Sequence, residues 1–572
     1  MRALHSCGRP DIRPRACAGW KAWVKESSIH TVIGFQSAGA KMSIARIALL
    51  VDAYEQPGWV CDLIEWIVQR QEFELAAILV APHGPVRAGW TRRNGPLMKA
   101  LIQMEQRVLS ERQRALLRSQ DLRQLPSAKS KPIDLWPKTN AAEALHGLEL
   151  DLVIMPDGLP VPREQLRGVA RIGNWCLSYC ATDAGTGRYA GFWEVLRRED
   201  HTVETLWWLA DRPEDDEPIE KRSFNTEAFW LKNQARAFDL GKLIICDALR
   251  CFAKAAPLRS RNPVPRIDTA APASYPTEWD GASYLARQVW LAGVLVMRRL
   301  MKRNMRWRIG MFPSVGAQAL VSKALVLTPP KGRFYADPFV FMRNNRPYIF
   351  FEDYDFRERK GKIAVATYRE GRFEVLGDAL NLPYHLSFPY VFEYEGATYM
   401  VPETCGNRTI ELWKCEEFPM KWKLECILMK DVSAVDTVIF RHGEYWWLLT
   451  NIDRTDGLSH CDELFAFYAE SPTSTDWRPH AANPVVRSPA KARNAGLIVM
   501  PSGEIIRCAQ YQGFCQYGKG ISLNRIEKLT PLEYQETDGE VHYAQFVGKP
   551  NSAMHHWHSH GGHTVFDFAY ME

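Results

Sequence analysis

Nowhere in these 572 residues is there an apolar run of the roughly 18 residues that a membrane-spanning helix needs. The nearest, Val289 to Met297, is short and stops at Arg298 and Arg299. No secretory leader is expected from the chain's opening residues. The 13 cysteines are odd in number, scattered and without a single CxxC pair, so they read as reduced thiols serving as small core hydrophobes. No metal site is expected from them. A net charge of +6, from 72 basic and 66 acidic residues, is too mild to argue for a nucleic-acid partner. Together these absences predict a cytoplasmic protein, with contact at a membrane surface left open.

What is abundant is aromatic. Trp, Tyr and Phe make up 11% of the chain, with 20 Trp, which favours β architecture and ring-stacking surfaces. At this length two to four domains are expected. Residues 1–41 hold only Asp11 and Glu26 as acids and have no clean periodicity. They read as a disordered extension or an over-long gene start. "IARIALLVD" then begins a strand–helix–strand unit with "WVCDLIEWIVQR" and "FELAAILVAP", and further buried strands follow at 148–158, 170–179 and 202–211. Residues 42–250 therefore predict an open α/β domain with a mostly parallel sheet. Residues 251–304 predict a proline-rich linker and then a helix over 281–306 with a basic end. Such an end complements the helix dipole and also suits a peripheral contact with anionic lipid.

From residue 305 short β runs and Gly/Asn/Pro turns take over. "ADPFVFMRNNRPYIFFED", "SFPYVFEYEGATYMVPET", "VDTVIFRHGEYWWLLTNI" and "AGLIVMPSGEIIRCAQYQ" repeat one hairpin plan, and "HHWHSHGGHTVFDFAY" starts a fifth copy. Repeats at this spacing signal solenoids or propellers. The fifth copy lacks a strand that "MRWRIGMFPS" (305–314) can supply, which closes a ring and leaves no free edge. Residues 305–572 thus predict a five-bladed β-propeller. In such a ring Asp337, Phe388 or Pro389, Asp436, Asn494 and His555 fall at one mouth, with Glu352, Asp353, Glu403, Asn451, Asp453, Gln510 and Gln512 after the second strands. Converging carboxylates suit the hydroxyls of a sugar or acid/base work on a glycosidic bond. Trp446, Trp447, Tyr348 and Tyr399 are rings that could stack on a sugar face. Capped turns and a water-lined channel are the bland alternative.

Two resemblances sharpen this. "FYADPF" is similar to the opening of five-bladed arabinanase- and xylosidase-like glycosidases. That resemblance implies Asp337 as base, Asp436 as second carboxylate and Glu403 in "VPET" as acid. "FYADPFVF…YIFFEDYD…KGKIAVATY" and "YHLSFPYVFEYEGATYMVPET" resemble the N-terminal domain of glucosamine inositolphosphorylceramide transferases, whose transfer step belongs to a separate domain. It implies a glycan- or glycolipid-linked propeller; with a sugar, nucleotide sugar or glycolipid headgroup as the expected partner, the positions around the mouth make Glu352, Asp353, Asn494, His555 and Trp446 the expected ligand contacts. "IALLVDAYEQPGWV" and "GFWEVLRRE" make residues 42–250 resemble the formyltransferase fold. Its active members use an Asn–His–Asp set with formyl-tetrahydrofolate. "GNWCLSYCATDAG" has no His, leaving Asn174 and Asp183 in a degenerate site. No cofactor is expected unless that domain is active. Three functions compete: a glycan-binding protein of glycolipid biosynthesis, a glycosidase or glycosyl-transferring enzyme, and an amino-sugar N-formyltransferase.

Overall fold

The computed structural model describes residues 44–80, 95–126, 132–134, 145, 147–156, 166–179, 189–253, 276–301, 305–313, 324–454 and 459–572. They divide into two compact units at Leu295/Val296. Within the first, the strands are Ala45–Val51 (β1), Phe73–Val80 (β2), Pro132–Asp134 (β3), Leu150–Met155 (β4), Ala170–Ser178 (β5), His201–Leu209 (β6) and Glu217–Asn225 (β7). They form one sheet in the order β3-β2-β1-β4-β5-β6-β7. The first five are parallel, and β6 and β7 are added antiparallel at one edge. The sheet is buried on both faces, so β1 reads as a continuous apolar run. Its side chains still alternate. Ile47, Leu49 and Val51 join one core layer, and Ala48 and Leu50 join the other. Helices Gly58–Val68 (α1) and Trp230–Ala253 (α2) pack into the first layer through Trp59, Ile64, Phe238 and Ile244. The charged strand "EPIEKRSFN" of β7 has no apolar alternation and escaped the sequence reading. The formyltransferase topology is not established by this sheet.

A third helix, Glu278–Leu300 (α3), begins three residues before its sequence-predicted start. Its early turns are anchored within the first unit. The Trp230 amide donates to the Tyr284 hydroxyl at 3.0 Å, Tyr284 donates to Glu105, and Gln288 donates to the Ala228 carbonyl at 2.8 Å.

The second unit is sheet throughout. Sheets I, II and III each hold four antiparallel strands, spanning Arg333–Leu380, Ser387–Lys430 and Ala434–Pro479. Sheet IV runs from Asn494–Val499 through Ile505–Gly513 and Gln516–Leu529 to Tyr534–Glu536. Sheet V is made from both ends of this unit. Trp557–His560 and His563–Met571 pair first, and Met305–Phe312 then adds antiparallel to His563–Met571, from Met305↔Met571 to Phe312↔Thr564. The expected closing strand is therefore present. It brings with it Leu325–Leu327, which the sequence did not announce. The first strands follow one another in a circuit. Arg333–Arg343 lies beside Ser387–Tyr394, then come Ala434–His442, Asn494–Val499 and Trp557–His560, which again lies beside Arg333–Arg343. The circuit is held by packing. Only Asn494–Val499 and Trp557–His560 share a backbone bridge, at Ile498↔Ser559, and no hydrogen-bonded barrel closes.

Ile309 on the closing strand is fully buried among Val340, Ile349 and Val565. Ile309→Ala should destabilise the second unit by about 2–5 kcal/mol, the usual result of deleting a packed core branch. Urea unfolding that shows no change in midpoint would mean the closing strand carries little of the fold.

Candidate functional site

The hub of the second unit is built by a repeated backbone irregularity. In sheet I the register breaks between Ala336 and Phe339, in sheet II between Ser387 and Tyr390, and in sheet III between Val435 and Val438. In each break one residue is left-handed: Asp337 (φ 51), Phe388 (φ 45) and Asp436 (φ 51). A non-glycine residue in this region is uncommon, Asp being better tolerated than Phe. The surroundings hold it. The Asp337 amide donates to Asp567 Oδ2 at 3.0 Å, and the Phe388 ring lies edge-on to Phe339 and His556 at 4.9 and 5.2 Å. Opposite the residues before these bulges stand Glu352, Glu403 and Asn451, by the pairs Ala336↔Glu352, Ser387↔Glu403 and Val435↔Asn451. One device repeated three times thus turns two aspartates and two glutamates inward. In sheet IV the register gives Asn494↔Ala509, so Asn494 corresponds to Ala336 and Val435, not to Asp337 and Asp436.

All four carboxylates are buried, and they are close enough to feel one another. Burial, assisted by Asp436 and Asp567 and opposed by His555 and Arg493, pushes Asp337 up to about 7. Burial and the charges of Asp337, Glu403 and Asp567 hold Glu352 well above the usual carboxylate range. Burial and Asp436 do the same to Glu403. Asp436 has its own cation, since Arg493 Nε donates to its Oδ2 at 2.6 Å. The Arg493 guanidinium also lies 5.6 Å from the Tyr517 ring centre. His555 sits between Trp307 and Tyr517, at 4.0 and 5.3 Å between ring centres, with Nδ1 2.8 Å from Asp567 and Nε2 3.5 Å from Asp337. Burial works against its charged form, but Asp567 and Asp337 outweigh it and raise its pKa.

Asp337, His555 and Asp567 place ligand-type atoms within 4.8 Å of one another. The fit to a cation is poor. Asp567 Oδ1 accepts from the amides of His555 and His556 at 3.0 Å each and meets His555 Nδ1, while Oδ2 accepts the Asp337 amide. Its lone pairs are already engaged, so the group works as a hydrogen-bonded latch.

Asp337, Asp436, Glu403, Glu352 and His555 are thus brought together. Asp353 is not. It follows Glu352 on a pleated strand and must face the other way. It pairs with Arg333 and lies 4.0 Å from Lys362. Trp446 packs between sheets against Phe392 and Tyr394 at 5.8 and 5.3 Å, and Trp447, Tyr348 and Tyr399 are likewise spent on ring contacts between strands. None of these rings is a hub platform. Asn494 is fully buried, its amide donating to the carbonyls of Asp436 and Leu449, and so it acts as a strut. The residues sequence reasoning missed are Arg493, Tyr517, Asp567, Trp307 and His385. The last lies with Nε2 3.6 Å from Glu352 and is held at about 4 by burial. Arg493 alone had a local signal, being the residue just before a strand that was already recognised.

In the first unit Asn174 lies in β5 and lines a cavity of about 340 Å³ with Arg167, Trp208, Asp211 and Glu217. This is the N-terminal half of β5, whereas open α/β sheets hold ligands at the carboxyl ends of their strands. Asp183 falls outside the described residues.

A carboxyl group whose pKa is raised on folding favours the fold while it is protonated, and that contribution disappears as pH rises through the folded value. Asp337 moves from 3.8 to about 7, and Glu352, Glu403 and His555 shift in the same direction. The second unit should therefore lose stability between about pH 4 and 7. Asp337→Asn, neutral throughout, should lose less over the same interval when melting temperatures are compared. Parallel curves for the two proteins would refute the raised value.

Residues 315–567 match the family described as glucosamine inositolphosphorylceramide transferase 1, N-terminal. Glucosamine inositolphosphorylceramide transferase 1 of Oryza sativa subsp. japonica is 34% identical over 219 residues, covering 36% of this chain and 29% of that protein. Its counterpart from Arabidopsis thaliana is 35% identical over 209 residues, covering 36% and 27%. The match thus spans under a third of the length of these relatives. Among solved structures, a family 117 glycoside hydrolase of Zobellia galactanivorans overlaps at a TM-score of 0.30 and 11% identity, covering 46% of this chain and 90% of that one. The GH43 protein BlXynB of Bacillus licheniformis overlaps at 0.26 and 11%, covering 37% and 46%. The second unit is, over residues 315–567, similar to the N-terminal part of a glycolipid-building transferase family.

Proposed function

We propose that the second unit is a five-bladed propeller that binds a sugar or glycolipid headgroup at its hub, in a protein of glycolipid biosynthesis. Three four-stranded sheets, a nine-stranded sheet whose two parts share the single bridge Ile498↔Ser559, and the circuit of first strands support the architecture. The observation that carries the function is the hub itself. Asp337, Glu352, Glu403 and Asp436 are drawn from three different sheets into one buried, mutually repelling group with Arg493 and His555 beside them. Burying charges costs several kcal/mol each unless they are paired, and packing alone gives no reason to gather them. Strongly perturbed groups clustered in this way mark functional sites. Protonated carboxyls donate hydrogen bonds and ionised ones accept them. The mixture therefore matches a polyol, whose hydroxyls both donate and accept. The names of the relatives point to a headgroup bearing glucosamine, inositol and phosphate, and Arg493 is the cation suited to the last.

A second reading has support of its own. Glu403, raised well above the usual carboxylate range by burial and Asp436, and Asp436, paired with Arg493, have opposed environments. That is the pattern of an acid and a charge-stabilising partner in glycosidic chemistry. Release of labelled sugar by the full chain, lost in Glu403→Gln, would support it. The first unit's formyltransferase resemblance rests on sequence alone, and the stretch Gly173–Gly185 contains no imidazole for that chemistry.

The test is glycan binding by the full chain, measured on an array of glucosamine- and inositol-containing glycosides. The Asp337→Asn/Asp436→Asn pair should weaken binding at least about tenfold, as expected for losing hydrogen bonds to charged groups. Unchanged binding by the variant, or none by the wild type, contradicts the proposal.

A further inference from the structure

Helix α3 has two faces with different fates. Gly281, Tyr284, Leu285 and Gln288 recur at helical spacing on the face that anchors it. On the other side Val289, Gly293, Val296, Met297 and Leu300 recur at the same spacing and are exposed among the described residues. Val289 is 63% exposed, Val296 and Met297 57% each, and Leu300 74%. Trp290 beside them is 57% exposed, with Arg198 over one side of its ring. A Cβ built on Gly293 would find no atom within 4 Å. A run of exposed apolar side chains on one helix face is not ordinary surface and calls for an occupant.

Charge says which occupant. From Gly281 to Ala336 the sequence carries 10 Lys and Arg and not one Asp or Glu. Arg287 and Arg298 border the apolar face on one side and Arg299 on the other, as helix geometry places them. No helix among the described residues is long and apolar enough to cross a membrane. An apolar face flanked by arginines on such a helix is the design that lies in a bilayer interface. A protein partner would need matching acids as well as apolar surface, whereas a bilayer containing acidic lipid offers both at once and without defined shape.

We infer that the second half of α3 is an anionic-membrane docking helix, its apolar face inserted among acyl chains and its arginines on lipid phosphates and carboxylates. The inference is independent of sugar binding at the hub. The full chain should sediment with phosphatidylcholine vesicles containing phosphatidylserine and stay in solution with phosphatidylcholine alone. Added salt should weaken the association. Arg298→Glu/Arg299→Glu and, separately, Trp290→Ser/Val296→Ser/Leu300→Ser should each reduce it about tenfold or more. All five positions are outside the cores, so circular dichroism and glycan binding should remain those of the wild type. Wild-type protein that fails to sediment with either vesicle, or variants that sediment like the wild type, would overturn the inference. So would a wild-type dimer that the serine variant converts to monomer without any change in lipid association.

Discussion

A single fully buried carboxylate, Asp567, fastens the last strand of the chain to the first bulge of sheet I. The same group receives the amides of His555 and His556 and orients the His555 ring. Everything at the hub depends on that latch. It fixes the left-handed turn that points Asp337 inward and sets an imidazole beside it. It also bridges sheets V and I, where the circuit of strands meets itself. Backbone strain at a bulge persists only where the surroundings over-determine it. Here the over-determination comes from the far end of the sequence.

The hub that results is electrostatically crowded. Burial and the neighbouring carboxylates push Glu352 and Glu403 well above the usual carboxylate range, while Asp436 takes the nearby guanidinium of Arg493. Donors and acceptors are therefore present together in a dry setting, where each hydrogen bond is worth more than it is in water. On the proposed reading this lining favours a hydroxyl-rich ligand over an apolar one, with side chains fixed on strands, not on loops.

Much of this was legible in the sequence because it is periodic. Four hairpins with matching turns gave the sheets, a truncated fifth gave the need for a closing strand, the polar residues entering the first strands gave Asp337 and Asp436, and those leaving the second strands gave Glu352 and Glu403. What failed was anything requiring register. A one-residue step on a strand reverses the side chain, so Asp353 was grouped with Glu352 although it faces Arg333 and Lys362. The bulges shift the count by one, so Asn494 was aligned with the aspartates although it is a strut one position earlier. Aromatics such as Trp446 looked available because sequence does not reveal that neighbouring sheets consume them. Asp567 and Tyr517 carried no local signal, since their roles arise from contacts with residues distant in sequence.

The central claim is that burial in one site, beside Asp337 and Asp436, holds Glu352 and Glu403 well above the usual carboxylate range. Infrared absorption of carboxylic acid groups reports this directly. The account predicts protonated carboxyl bands in the full chain that persist above the pH at which an ordinary glutamate ionises, and that diminish in Glu352→Gln and in Glu403→Gln. Spectra in which both variants retain every protonated band of the wild type would show that these glutamates are ionised, and the coupled hub would not exist.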